Sequence, residues 1–210
     1  MERFQRAGLY LVTSEALSAG RTTPEIVEQA LHAGVRLVQL REKEKSKREL
    51  FRLACRLRER CDAYDALLIV DDHLDLALAS GADGVHLGNE DLPPNAARRL
   101  FPEGIIGVST HHLQEARAAA DSGASYYNIG PIFPTRTKSW SGAFLGPEAI
   151  PELSACCPLP FTVMGGIKRN NLEQVLAAGA RTVAVVTAVT RAPDPAGACR
   201  ELLKIMRQYS

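Results

Sequence analysis

No stretch of this 210-residue chain is apolar over the roughly 18 residues that a membrane-crossing helix requires. Its first residues, Met1, Glu2, Arg3 and Phe4, lack the apolar segment of a secretory signal. Neither charge sign is in excess, with 25 Lys+Arg against 24 Asp+Glu, which excludes a broad nucleic-acid or membrane footprint. The five cysteines, at 55, 61, 156, 157 and 199, have no zinc-ligand spacing and read as structural thiols of a reducing compartment, so a cytoplasmic location is expected. No low-complexity segment or linker interrupts the chain, which is expected to form one domain over residues 1–210. At that length about 70% of the unfolded surface can be buried, so neither a disulfide nor a metal is needed for folding.

What is present is an alternation of short apolar runs and longer amphipathic ones. Residues 8–13 (GLYLVT) read as a strand. Thr22-Thr23-Pro24-Glu25 then starts a helix, with Pro in the first turn and Glu near the positive end of the dipole. Ile26, Val27, Ala30 and Leu31 line one face of it, and Gly34 ends it. A second strand over 35–41 precedes a charged amphipathic helix over about 45–61. Six more pairs follow: strands over 67–70, 84–87, 105–108, 125–129, 161–163 and 182–186, with helices over 74–80, 94–100, 113–122, 147–154, 171–178 and 195–207. Continuously apolar strands separated by helices indicate a parallel sheet covered by helices. Eight such units in one chain predict an α/β fold, the closed (β/α)8 TIM barrel. The rival open doubly wound sheet is weakened because no Gly-x-Gly-x-x-Gly follows the first strand.

In such barrels the chemistry lies on loops after the C-terminal ends of the strands. Those loops hold Gln39, Arg41, Glu42 and Lys43; Asp71, Asp72 and His73; Asn89, Glu90 and Asp91; Ser109, Thr110, His111 and His112; then Thr135, Arg136, Thr137 and Lys138; and finally Gly165, Gly166, Val186 and Thr187. The opposite loops are small-residue turns such as Ala33-Gly34 and Ala178-Gly179. One rim is rich in chemistry and the other plain, which points to an enzyme. Asp72 and Asp91, on neighbouring strand ends, offer hard oxygens for Mg2+, although either could instead cap the following helix. Arg41, Lys43 and Lys138 would each be an ordinary solvated cation alone; at one rim, opposite two carboxylates, they read as a pyrophosphate site. Gly165-Gly166 with Val186-Thr187 form a second anion site of the kind that loops 7 and 8 of these barrels provide, the alternative being turn glycines. His111 and His112 read as capping or scaffold more readily than as a general base. His86, inside a strand, reads as structural. Trp140, the single Trp, could close over a ligand or pack on the rim.

The segments QLREK (39–43), VDDHLDLALASGADGVHLGNEDLP (70–93), GVSTH (107–111), GPIFPTRTK (130–138), GGI (165–167) and VVTAV (185–189) together resemble the thiamine-phosphate synthase family, over nearly the whole chain. The resemblance implies a transferase that joins hydroxymethylpyrimidine diphosphate to hydroxyethylthiazole phosphate, or its carboxylated form, with Mg2+ as cofactor and small molecules as its partners. It implies that Gln39, Leu40, Arg41, Glu42, Lys43, Asp71, Ser109 and Lys138 bind the pyrimidine diphosphate, with Arg41, Ser109 and Lys138 catalytic. Thr135, Arg136, Thr137, Gly166, Val186 and Thr187 would bind the thiazole phosphate, and Asp72 and Asp91 the metal. Oligomeric state is left open, a homo-oligomer included.

Two positions depart from the family's pattern: Asp71 stands where it usually has Asn, and Asn89 where it usually has Gln. Asp71 adds negative charge where pyrophosphate should lie. It either coordinates Mg2+ as a third carboxylate, the preferred reading here, or turns toward Arg41 and Lys43. Two rival functions share the rim: a thiazole tautomerase with His111 as acid and base, and a non-catalytic thiazole-phosphate sensor.

Overall fold

The computed structural model describes residues 1–137 and 141–209. Eight strands close into a parallel barrel in sequence order: β1 (Leu9–Val12), β2 (Leu37–Leu40), β3 (Leu67–Asp71), β4 (Gly84–Leu87), β5 (Ile105–Thr110), β6 (Tyr126–Ile129), β7 (Phe161–Val163) and β8 (Thr182–Val185). The expected (β/α)8 barrel is thus the observed one. Around it run α1 (Glu2–Arg6), α2 (Thr23–His32), α3 (Lys47–Ala63), α4 (Leu74–Ser80), α5 (Pro94–Leu100), α6 (Leu113–Ala119), α7 (Ile150–Ala155), α8 (Leu172–Ala177), α9 (Thr187–Thr190) and α10 (Pro195–Met206). Among the described residues, no helix is long and apolar enough to cross a membrane.

Helix starts follow local chemistry. Glu25 accepts from the Thr22 amide at 2.7 Å, closing a capping box with Pro24 in the first turn of α2. Ser46 and Glu49 do the same for α3. Every residue of β1, β2, β4, β6 and β8 is buried, because helices cover one face and the barrel interior the other. The outward side chains, such as Leu11, Val38, Leu68 and Val85, join the helices in one large core. The inward ones form a second, smaller core with Tyr10, Val12, Leu37, Ile69, Tyr126 and Ala184.

Helix α1 was not apparent in the sequence, and its role is to stopper that inner core. Phe4 is buried there, its ring centroid 4.3 Å from Tyr126 and 6.2 Å, edge-on, from Tyr10. Burying one such ring contributes about 2–3 kcal/mol. The opposite, C-terminal end of the barrel is left open for the loops.

Strands β3 and β5 run further than the sequence suggests. Asp71 is the last residue of β3, while Ser109 and Thr110 end β5. These polar residues belong to the sheet, not to the loops after it. Asp71 is in register with His86, His86 with Gly107, and Ser109 with Asn128.

Candidate active site

At the C-terminal mouth lies a cleft with about 850 Å³ of non-atom space, partly open to solvent. Its walls include Gln39, Arg41, Lys43, Asp71, Asp72, Ser109, Thr135, Thr137, Gly166, Val186 and Thr187, so eleven of the predicted site residues meet in one place. Val12, Met164, Ile167, Ala184 and Val185 supply apolar wall between them.

One wall is charged. The Asp71 carboxylate, only 10% exposed, lies 2.9 Å from Lys43 Nζ and 3.5 Å from Arg41 Nε. Lys43 also bonds Asp72. Burial opposes ionisation of Lys43, but the charges and hydrogen bonds of Asp71 and Asp72 outweigh it and hold its pKa above the ordinary value. Burial likewise works against Asp72, yet Lys43 holds that carboxyl below its usual range. Burial raises Asp91, and the charge of Asp72, with which it is in hydrogen-bonding contact, pushes it the same way.

Backbone geometry aims this cluster. Asp72 has φ +61°, a left-handed conformation that few non-glycine residues adopt and that concentrates at functional sites. Its amide still bonds the His86 carbonyl at 2.8 Å, so the chain turns sharply right at the end of the sheet. Neither Asp72 nor Asp91 caps a helix: the N-caps of α4 and α5 are His73 and Pro93. Asp91 Oδ2 instead accepts from the Gly88 amide at 2.6 Å within its own loop.

The facing wall is built from loops 6, 7 and 8. Thr135 Oγ1 accepts from the Thr137 amide at 3.2 Å, which folds the loop so that the two hydroxyls stand 3.2 Å apart. Loop 6 pairs with loop 7 through Ile132 to Met164 (2.9 Å) and Phe133 to Gly165 (3.0 Å). That pairing requires the diglycine. A Cβ on Gly165 would lie 2.6 Å from Pro131 Cα, and one on Gly166 2.5 Å from the Pro134 carbonyl, and both residues have positive φ. The glycines therefore serve close packing of backbone as well as access to a ligand.

Other predicted residues lie off the cleft. Leu40 belongs to the outer core. The Glu42 carboxylate accepts from the Glu15 amide at 2.8 Å and from Thr23 Oγ1 at 2.5 Å, tying loop 2 to loop 1. Arg136 borders two neighbouring clefts. Asp91 reaches the site through Asp72. Lys138 and Trp140 lie outside the described residues. His112 caps α6, and His111 donates from Nδ1 to the Gly130 carbonyl at 2.6 Å. Asn89 donates to Glu115 at 2.5 Å, and Glu115 also accepts from the His111 amide at 2.6 Å, so one α6 carboxylate holds loops 4 and 5 together.

The sequence reads His86 as structural and gives no sign of the two tyrosines that, with His86, complete the floor of the cleft. His86 lines it, and beneath run Tyr126 and Tyr10 in an unbroken hydrogen-bonded series. The signal for His86 was its place in an apolar strand, two residues from Gly84 on the same inward face.

A closed barrel with charged and hydroxyl-bearing walls at the C-terminal rim defines a (β/α)8-barrel enzyme acting on small molecules. Residues 9–189 match the family model described as thiamine monophosphate synthase. The thiamine-phosphate synthase of Methanospirillum hungatei is 42% identical over 95% of this chain and 97% of that protein. The bifunctional protein ThiM/ThiE of Symbiobacterium thermophilum is 44% identical over 97% of this chain, which spans 42% of that longer protein. A solved structure, thiamine phosphate pyrophosphorylase from Pyrococcus furiosus, superposes with a TM-score of 0.91 at 36% identity, covering 100% of this chain and 99% of that one. The chain belongs to the thiamine monophosphate synthase family.

Proposed function

We propose that this chain, as a single domain, joins hydroxymethylpyrimidine diphosphate to hydroxyethylthiazole phosphate, releasing thiamine phosphate and pyrophosphate; with the carboxylated thiazole, the carboxyl group leaves as CO2 and a proton takes its place on the ring carbon. The observation behind this reading is the two-walled cleft. It sets cations and carboxylates from loops 2 and 3 against the threonine pair, the diglycine and Val186-Thr187. Two anionic substrates joined at one point need two anion sites facing each other.

In this reaction the bond from the pyrimidine methylene to the diphosphate oxygen breaks, and its electron pair leaves with the oxygen. The thiazole nitrogen then supplies its lone pair to the methylene carbon. That nitrogen carries no proton, so no general base is required. The residues' tasks are therefore to hold the two partners close and to stabilise charge on the leaving group. Gln39 holds the pyrimidine ring. Arg41 and Lys43, with Lys138, take its diphosphate, and Ser109 contacts the same substrate. Thr135, Thr137, Gly166, Val186 and Thr187 take the thiazole phosphate, with Arg136 at its edge. Leu40 and Glu42 act from behind, the first by packing and the second by fixing loop 1.

Asp72 and Asp91 fit a hard divalent cation. Two carboxyl groups in hydrogen-bonding contact need a proton or a cation between them, and oxygen donors suit Mg2+. Mg2+ bound there would offset the charge of the departing diphosphate. Asp71, 2.9 Å from Lys43 and 3.5 Å from Arg41, is placed as their counter-ion, which favours that role over the third metal ligand that the sequence suggested. The five free cysteines, three of them buried, suit a cytoplasmic enzyme. The tautomerase reading needs His111 as acid and base, and it leaves the wall of Arg41, Lys43, Asp71 and Asp72 without a task.

The direct test incubates the pure protein with both phosphorylated halves, with and without Mg2+, and reads thiamine phosphate after oxidation to fluorescent thiochrome. Binding of both halves with no product would overturn the synthase reading in favour of a sensor.

Asp71 gives a narrower prediction. As counter-ion to Arg41 and Lys43 it competes with the incoming diphosphate for both cations. Asp71→Asn is expected to lower the KM for the pyrimidine diphosphate by about ten- to a hundredfold, the effect of losing one competing charged hydrogen bond. Its Mg2+ requirement should not change. A rise in the Mg2+ needed for half activity would instead restore Asp71 to the metal shell.

A further inference from the structure

The floor of the cleft holds a hydrogen-bonded relay across the barrel interior. Gln39 Nε2 donates to Tyr10 Oη at 2.9 Å, Tyr10 and Tyr126 hydroxyls lie 3.1 Å apart, Tyr126 Oη lies 2.9 Å from His86 Nδ1, and His86 Nε2 lies 3.1 Å from Ser109 Oγ. Its two ends, Gln39 on β2 and Ser109 on β5, both line the cleft. All members but Ser109 are buried.

The chemistry of the groups sets its direction. An amide nitrogen can only donate, so Tyr10 accepts from Gln39 and must give its own proton to Tyr126. Tyr126 then gives its proton to His86 Nδ1. The imidazole therefore carries its proton on Nε2 and donates it to Ser109 Oγ. The Ser109 proton is left to point elsewhere, and the cleft is where it can point. Burial raises the pKa of both phenols far above neutral, so neither proton is lost in the working range.

The surroundings are shaped for this arrangement. A Cβ on Gly107 would fall 2.1 Å from Tyr126 Cζ and 2.3 Å from its hydroxyl, so only glycine on β5 admits the ring. Phe4 closes the relay from below. Fully satisfied buried polar chains of this kind rigidify what they connect.

We propose that Tyr10, Tyr126 and His86 are positioning residues that fix the hydrogen-bond polarity of the pyrimidine subsite, presenting Ser109 to the substrate as a donor and turning Gln39 so that its carbonyl serves as the acceptor. The substrate chemistry this selects is an aminopyrimidine, whose ring nitrogen accepts and whose exocyclic amine donates. The inference rests on the synthase reading for its substrate, but the relay's polarity does not.

The test uses Tyr126→Phe and Tyr10→Phe, each of which removes one hydroxyl, and with it two adjoining links, while keeping the ring. The first readout is the 15N spectrum of the His86 ring in the wild-type protein, which requires no activity. A proton on Nε2 with bare Nδ1 supports the relay, and a proton on Nδ1 overturns it. The second is kinetic. Either variant should raise the KM for the pyrimidine diphosphate by about five- to tenfold, the loss of one positioning hydrogen bond. The KM for the thiazole phosphate should hold, and in a Ser109→Ala background Tyr126→Phe should add no further loss. Equal loss toward both substrates, or full additivity with Ser109→Ala, would mark the tyrosines as packing residues only. If the wild-type protein binds the pyrimidine diphosphate but makes no product, the same comparison is made by calorimetry, which separates failure of the relay from failure of the synthase reading.

Discussion

Chelation of divalent cations is expected to abolish thiamine phosphate formation, with Mg2+ restoring it, and Asp91→Asn is expected to raise the Mg2+ needed for half activity by at least roughly tenfold. The reason lies in the charge of the cluster. Three carboxyl groups, Asp71, Asp72 and Asp91, stand with two described cations, Arg41 and Lys43. With a proton shared between Asp72 and Asp91, that cluster has no surplus positive charge for a diphosphate, and each unit of attraction at ~4 Å is worth about 4 kcal/mol at an effective dielectric of 20. One divalent ion in place of the proton supplies it. Asn at 91 keeps the shape and can still accept from the Gly88 amide, so the loop should stay in place while a ligand charge is lost. The measurement is a Mg2+ titration of initial rate, paired with calorimetric Mg2+ binding. An unchanged titration midpoint in Asp91→Asn would remove that residue from the metal shell.

The barrel was legible because its strands are short, apolar and evenly interrupted by helix starts with recognisable caps, as at Thr22–Glu25 and Ser46–Glu49. The rim was legible because polar residues gather at one end of those strands. Three things were not. Helix α1 is too short to show a period, and its one buried side chain, Phe4, matters only because the inner core ends there. The orientation of Glu42 could not be read from its place in QLREK, since it lies in the loop beyond β2, where its carboxylate meets Thr23 and the Glu15 amide while Arg41 and Lys43 face the cleft. The relay joins residues as far apart as Tyr10 and Tyr126, 116 positions in sequence, and such a contact exists only once the barrel closes. Long-range pairing of buried polar groups leaves no local pattern. Asp71 illustrates the same limit: its neighbours in sequence suggested a metal, whereas its neighbours across the sheet are Arg41 and Lys43.

Lys43→Ala is expected to lower kcat by about 10²–10³, the usual cost of removing one preorganised charge donor to a leaving group. Lys43 Nζ sits between Asp71 and Asp72, and those carboxylates keep it protonated across the working pH range. The variant has a second consequence that must be separated from the first. Without Lys43, the buried Asp71 keeps only the Arg41 contact at 3.5 Å, and a buried charge with a weakened partner destabilises the fold. Lys43→Ala should therefore also lower Tm. The double variant Lys43→Ala/Asp71→Asn removes the orphaned charge, so Tm should recover while kcat stays low. Recovery of Tm alone identifies Lys43 as a group that stabilises the departing diphosphate. Recovery of both would mean that Lys43 serves only to neutralise Asp71, and its catalytic assignment would be withdrawn.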